Sequence, residues 1–327
     1  MIITRAPLRV TLGGGSDLPF YTSKFGGHMV SAALDKYIYI IVEKRDFYDE
    51  FLIRYSKTEN VRNIKDIQHS RIRAALEYLN ITEPLEITSL ADVPAGTGLG
   101  SSSTFLVALL KALHTYKREE VSAKRLAEEA AHIEMEILRE PIGKQDQYVA
   151  AYGGLLNLEF EKNGNVIISP LNISHSALDE LENNLLLFST GVIRSAADFL
   201  LDQKNRAELD EEVMKKMHLL KDIGKEIKKS LEVEDLQRVG KWIGLDWQTR
   251  KEMSDKMSNE LIDQQHELAL KNGALGGALV GAGGGGFLMF YSENNKKRLR
   301  EAMLQAGYKE LTFKFDFDGC KTIYNIK

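Results

Sequence analysis

Glycine and serine crowd into Pro94-Ala-Gly-Thr-Gly-Leu-Gly-Ser-Ser-Ser-Thr104, with glycines at 96, 98 and 100 and serines at 101, 102 and 103. Alternating glycines remove the Cβ atoms that would block a tight turn. The apolar run from Thr104 to Leu113 then reads as a helix that starts at the serines. A glycine loop feeding a helix N-terminus presents unpaired N–H groups and a positive dipole end, which suits an anion and phosphate above all. Serine hydroxyls at the same point can bond phosphate or ligate magnesium. The plainer alternative is a strand-to-helix turn capped by serine. Two more glycine clusters lie at 13–15 and 281–286. Gly281 to Gly286 satisfies G-x-G-x-x-G, but Phe287 to Tyr291 reads as a strand where a dinucleotide motif requires a helix. The loop at 94–103 lacks the Gly-Lys-Ser/Thr ending of a P-loop, so a nucleoside triphosphate there would be held without that lysine. His28, His114 and His132 show no metal-ligand spacing and read as structural or surface histidines.

The elements that must position these residues follow from the apolar pattern. Residues 2–12 read as a strand ending in Gly13-Gly-Gly-Ser-Asp17, and Tyr37 to Val42 as a second strand rich in aromatic and β-branched residues. Residues 65–80 read as helix, and Leu85 to Leu90 as the strand leading into the serine loop. Ser122 caps a helix expected to run to about Leu138, with Leu126, Ala130, Ile133 and Ile137 on one face. Pro141 to Gln147 is a loop and helix start. Leu155 to Phe160 and Val166 to Ile168 flank a hairpin turn at Lys162-Asn-Gly-Asn165. Asn172 to Glu182 reads as a polar loop and the best candidate boundary. A strand at Leu185 to Ser189 precedes mainly helical sequence from about Ser195 to Asn272. Strands at 286–291 and 311–317 are separated by a helix at 296–306. Strands and helices mix without strict alternation, which favours an α+β fold over a doubly wound sheet.

At 327 residues the chain is long enough for two domains and a sizeable core. Its net charge of −4 gives no basic footprint for nucleic acid or an anionic membrane. The single cysteine, Cys320, excludes an internal disulfide and a cysteine-based zinc cluster, and fits a reducing cytoplasm. No secretory leader is read at Met1 to Pro7. Gly273 to Phe290 is uncharged, but eight glycines in 18 residues are too loose for a membrane span. A cytoplasmic protein with neither nucleic-acid nor membrane partners is expected, as monomer or homodimer.

Ala6-Pro-Leu-Arg-Val-Thr-Leu-Gly-Gly-Gly-Ser-Asp17, Pro94 to Ser103 and Gly276 to Gly286 resemble the three ordered motifs of the GHMP kinases. Gly143-Lys-Gln-Asp-Gln-Tyr148 and Thr190-Gly-Val-Ile-Arg194 add a resemblance to the D-glycero-D-manno-heptose 7-phosphate kinases within that family. Fucokinase-type members share much of the pattern. The resemblance implies a two-domain fold, with a ribosomal-S5-domain-2-like nucleotide-binding domain over 1–178, a ferredoxin-like domain over 179–327, and the active site between them. It also implies ATP as co-substrate, Mg2+ as cofactor and a sugar phosphate as acceptor. The implied reaction places a phosphate on C1, for nucleotide-activated heptose and surface polysaccharide synthesis. Another sugar 1-kinase and a non-catalytic protein of the same fold are the alternatives.

Residue by residue, the resemblance implies that Pro94, Gly96, Thr97, Gly98, Leu99, Gly100, Ser101, Ser102 and Ser103 bind ATP. Asp146 matches the catalytic aspartate, and a carboxylate beside a phosphate site can take the proton of an attacking hydroxyl. A helix-capping aspartate is the structural alternative. Arg9 falls where sugar-kinase relatives carry an arginine that offsets charge on the transferring phosphoryl group. Glu134, twelve positions before Asp146, has a spacing similar to that of the magnesium-binding glutamate, with Glu136 a close competitor. Ser102 is the matching serine ligand, with Ser101 and Ser103 open by one-residue register. Gly15, Ser16 and Asp17 fall where relatives bind sugar hydroxyls, although this motif is shorter than its galactokinase counterpart. Lys144 and Arg194 are candidates for the substrate's own phosphate, or else surface charges.

Overall fold

The computed structural model describes residues 1–192, 210–281 and 283–326. The chain opens with β1 (Ile2–Gly15), α1 (Pro19–Phe25), β2 (Gly27–Lys44), β3 (Phe51–Arg54), β4 (Thr58–Val61), α2 (Ser70–Tyr78) and β5 (Leu85–Ala91). It continues through α3 (Ser101–Tyr116), α4 (Ala123–His132), α5 (Gln145–Tyr152), β6 (Leu155–Phe160), β7 (Val166–Pro170) and α6 (His175–Asn184). The remainder comprises β8 (Leu185–Ser189), α7 (Glu211–Glu232), α8 (Leu236–Lys251), α9 (Glu260–Lys271), β9 (Gly276–Leu279) and β10 (Phe287–Tyr291). It closes with α10 (Lys296–Gln305), β11 (Glu310–Leu311) and β12 (Lys321–Asn325).

Two sheets organise the molecule. The larger runs β12-β1-β2-β5-β3-β4, with β6 and β7 joined to β2, and the smaller runs β11-β8-β10-β9. β2 is long enough to serve two partners on one edge: Gly27 to Ala32 pairs with β6, and Ile38 to Lys44 pairs with β5. All pairings are antiparallel except β3 with β5. α3 is apolar on every side from Phe105 to Leu110 and is accordingly buried all round against β1 and β2. Each such leucine or phenylalanine contributes about 1.5–3 kcal/mol by leaving water.

Glycine sets how closely α7 approaches the end of β1. A Cβ on Gly15 would lie 2.6 Å from the Lys221 nitrogen, and one on Gly224 would lie 2.8 Å from the Gly14 Cα. α8 approaches β9 in the same way, because a Cβ on Gly276 would lie 2.0 Å from the Gly240 oxygen. Among the described residues no helix is long and apolar enough to cross a membrane.

Several expectations need amending. Asn172 to Glu182 is no loop: Ser174 caps α6 by accepting from Ala177 N, and a buried Leu181 anchors the helix. The division at 178/179 falls inside that helix, and β12 returns across it to pair with β1. The strand expected at 311–317 shrinks to β11 and a single bridge from Phe315 to Leu34. β9 was hidden by its glycines. The helix capped by Ser122 stops being α-helical at His132, and Ile133–Ile137 forms a π-helical turn. The wider turn swings Ile137 out to 45% exposure while Leu126, Ala130 and Ile133 stay buried.

Candidate active site

A cavity of about 490 Å³ lies where the end of β1, the serine loop, the π-helical turn, α7, α8 and the loop after β9 converge. Gly96, Gly98 and Gly100 adopt φ of 76°, 80° and 78°, in the left-handed region that glycine alone enters freely. The loop is clamped by backbone from the smaller sheet. A Cβ on Gly98 would lie 2.3 Å from the Val280 oxygen, one on Gly281 would lie 2.7 Å from the Gly98 Cα, and one on Gly286 would lie 2.2 Å from the Thr97 oxygen. Gly100 is the N-cap of α3, and no side chain caps the helix. Its first N–H groups therefore stay uncapped beside the cavity that Ser101 to Ser103 line, which disposes of the serine-cap alternative. Ser101 Oγ is buried without a hydrogen-bond partner beside them.

Arg9 of β1 grips Asp146 from both sides. Nε donates to Oδ1 at 2.7 Å and Nη2 to Oδ2 at 3.0 Å, while Nη1 donates to the Gly98 carbonyl. Asp146 occupies the first turn of α5, and the absence of a Cβ on Gly100 leaves room for both groups, since a Cβ there would lie 3.1 Å from Asp146 Oδ2 and 3.3 Å from Arg9 Cγ. One arginine thus ties the carboxylate to the glycine–serine loop. The carboxylate keeps lone pairs beyond the two Arg9 occupies, so it can accept a proton from a hydroxyl entering the cavity.

Asp17 sits beside this pair. Its Oδ2 accepts from Gln145 N at 2.9 Å, and a Cβ on Gly143 would lie 2.1 Å from its carboxyl carbon. Burial pushes its carboxyl up, the Gln145 N–H pulls it down, and the Asp146 charge raises it further. Ser16 holds a non-glycine φ of 43° and accepts from Leu18 N at 3.3 Å, turning the chain into the cavity.

Glu134 lies on the π-helical turn with its side chain fully buried, and Glu136 points to solvent. Its Oε1 accepts from Arg71 Nε at 2.8 Å and its Oε2 from Gln147 Nε2 at 2.6 Å, while Arg71 also pairs with Glu140. Burial pushes the Glu134 carboxyl up, and Arg71, Ser103 and Gln147 pull against it. A carboxylate and nearby serine hydroxyls are the hard oxygen donors magnesium prefers, and the unpartnered Ser101 Oγ adds another, so the donor set fits the ion. Among the described residues no three His, Cys, Asp or Glu side chains are grouped to hold a metal alone. Phosphate oxygens would complete such a shell.

Of the expected site residues, Arg9, Ser16, Asp17, Gly96, Gly98, Gly100, Ser101 to Ser103, Glu134 and Asp146 line one cavity. Pro94, Thr97 and Leu99 shape the loop from behind: Thr97 Oγ1 donates to the Pro94 carbonyl, and the Leu99 carbonyl accepts from Arg9 N. Gly15 lies under α7 and does not line the cavity. Lys144 is turned away, its Nζ donating to the Gly164 carbonyl at 2.6 Å in the β6–β7 turn. Arg194 lies outside the described residues. Arg71, Glu140, Asp246 and Arg250 also line the cavity, and no motif had marked them.

Residues 69–154 match the GHMP kinases N terminal domain and residues 227–310 the GHMP kinases C terminal domain. A D-glycero-alpha-D-manno-heptose 7-phosphate kinase of Campylobacter jejuni is 30% identical, across 98% of each chain. The chain belongs to the GHMP kinases. It is an ATP-dependent sugar kinase with the two-domain fold of that family, and it is similar to heptose phosphate kinases. The crystal structure of a D-glycero-D-manno-heptose 1-phosphate kinase from Bacteroides thetaiotaomicron superposes with a TM-score of 0.83 at 26% identity, covering all of both chains. The galactokinase of Pyrococcus furiosus is 25% identical across 96% of this GHMP kinase and 95% of its own length. The first matched segment carries the serine loop, Glu134 and Asp146, and the second carries Arg250 and the clamping glycines.

Proposed function

We propose that this kinase phosphorylates the anomeric hydroxyl of D-glycero-D-manno-heptose 7-phosphate, giving the 1,7-bisphosphate. The observation that carries the reading is the bidentate Arg9–Asp146 pair bonded to the phosphate loop through Gly98. The likeness to the Campylobacter jejuni heptose 7-phosphate kinase supports the acceptor.

In this reading the uncapped N-terminus of α3 and the loop amides bind the ATP phosphates. Ser16 and Asp17 contact sugar hydroxyls and aim the C1 hydroxyl at the γ-phosphate. Asp146 takes the hydroxyl proton as the sugar oxygen bonds to phosphorus and the bond to ADP breaks. Arg9 fixes the orientation of Asp146 and offsets charge on the phosphoryl oxygens. Glu134 and a serine hydroxyl from 101–103 would hold magnesium, which neutralises phosphate charge. General-base help of this kind contributes about 10²–10⁴-fold, and the rest comes from positioning and electrostatics.

The test offers ATP and magnesium with heptose 7-phosphate, heptose 1-phosphate, free heptose, fucose and galactose, and follows ADP release. Phosphorus NMR of the product then locates the new phosphate. Heptose 7-phosphate is expected to give the highest kcat/KM and a 1,7-bisphosphate. Preference for a free sugar, or for the 1-phosphate named in the structural relative, overturns the acceptor assignment.

A further inference from the structure

Among the described residues, the basic side chains lining the cavity are Arg9, Arg71 and Arg250. The first two belong to the phosphate-donor end, because Arg9 bonds the Gly98 carbonyl and Arg71 bonds Glu134, which adjoins Ser103. Arg250 stands apart, in the last turn of α8. Its Nε donates to Asp246 Oδ2 at 2.5 Å and its Nη2 to the Gly14 carbonyl at 2.8 Å, while Gly14 N donates to Asp246 Oδ1 at 3.0 Å. This closed ring fixes the guanidinium against the glycine run that leads directly into Ser16 and Asp17. Both Asp246 oxygens are taken up within the ring, and its side chain is 3% exposed against 18% for Arg250. Only two of the five guanidinium N–H groups are engaged, which leaves three donors on a held guanidinium that lines the cavity together with Met217 and Leu220.

We infer that Arg250 forms a phosphomonoester subsite at the acceptor end of the cavity, holding the phosphate that the sugar already carries. The inference rests on the proposed acceptor, in which that phosphate sits at the opposite end of a seven-carbon chain from the reacting hydroxyl. A planar, permanently charged fork bonds phosphate through two parallel N–H groups and does so with orientation, which a flexible lysine lacks. Held at both ends, the sugar can present only one hydroxyl to Asp146. The subsite is therefore a specificity determinant: it separates sugar phosphates from free sugars and touches no reacting atom.

The experiment compares Arg250→Gln, Arg250→Lys and the wild-type enzyme on heptose 7-phosphate and on free heptose, reading the ratio of the two kcat/KM values. Damage to the Gly14 run lowers both values and cancels in the ratio, whereas loss of a phosphate contact does not. The wild-type ratio favours the phosphorylated acceptor, and Arg250→Gln is expected to lower that preference about tenfold or more, chiefly through KM. Arg250→Lys, which keeps the charge and loses the fork, retains part of the preference and supplies the answer if the glutamine variant does not fold. An unchanged ratio in a folded variant overturns the subsite. A wild-type enzyme that ignores heptose 7-phosphate overturns the acceptor assignment instead, and the subsite with it.

Discussion

Gly98→Ala tests how the phosphate loop is held. At φ +80° an alanine carries a left-handed penalty of about 1–2 kcal/mol. The added Cβ would also stand 2.3 Å from the Val280 carbonyl oxygen, where real Cβ contacts stop near 3.0 Å. The loop must therefore retreat by 0.7 Å, the difference of those two distances. Neither side of the contact is a flexible side chain, so the backbone itself has to move. The Gly98 carbonyl is the acceptor for Arg9 Nη1, so the shift reaches the Arg9–Asp146 pair. A displacement of about 1 Å at a reacting centre costs about 10²-fold, and kcat/KM for ATP is expected to fall about 10- to 100-fold. Gly307→Ala is the matched control, because its φ is +87° with nothing within 4 Å of the new Cβ. It incurs the strain alone, lowering the melting temperature by a few degrees at most and leaving turnover intact. A coupled assay of ADP release over an ATP titration, with thermal denaturation of each variant, separates the two. Wild-type kcat/KM in Gly98→Ala, or an equal kinetic loss in Gly307→Ala, refutes the reasoning.

Asp146→Ala is expected to abolish turnover nearly completely while ATP affinity by calorimetry stays within about threefold, since the carboxylate contacts no loop amide; wild-type turnover sinks the base assignment. Glu134→Gln keeps the shape and removes the charge, and the magnesium concentration giving half-maximal turnover should rise about tenfold or more. An unchanged magnesium titration removes Glu134 as a ligand. His28 is buried, and burial pushes its imidazole down to about 4, against 6.5 when exposed. Between those values the unfolded chain binds the extra proton, so stability falls as pH drops from 6.5 toward 4, by about 3 kcal/mol in all. Urea midpoints at pH 7 and pH 4.5 should differ less in His28→Gln than in the wild type, and an equal difference rejects this account.

The donor end of the site was legible because it is local: three glycines, three serines and an apolar helix lie within twenty residues. Its clamp was not, since nothing in 281–286 reveals that those glycines meet Gly98 and Thr97. Asp146 and Arg9 were placed through the family motifs, and neither residue type at that spacing would have sufficed alone. Glu134 and Glu136 could not be separated on a regular helix, and the π-helical turn is what buries one and exposes the other. Arg71 and Arg250 were missed because each reaches the cavity through tertiary packing. For Arg250 a faint signal exists, as Asp246 and Arg250 stand at the i,i+4 spacing of a helical ion pair. Lys144 shows the converse, a motif residue whose charge a hairpin turn diverts. Polarity misread 172–182 as loop because α6 shows the core only a narrow stripe with Ala177 and Leu181.

The contact between 96–100 and 281–286 is made of main chain on both sides, whereas the far end of the cavity is made of side chains on two helices. That asymmetry divides what inheritance can change. A new way of holding the triphosphate would require several glycines to move in concert, because a Cβ on Gly98, Gly281 or Gly286 meets main chain on the other side. A change at the far end of the acceptor needs only different side chains at 217, 220 and 250. The same division is a guide for retargeting the enzyme in the laboratory: randomise those three positions, hold the glycine loops fixed, and phosphoryl-transfer capacity should travel unchanged from one sugar to the next.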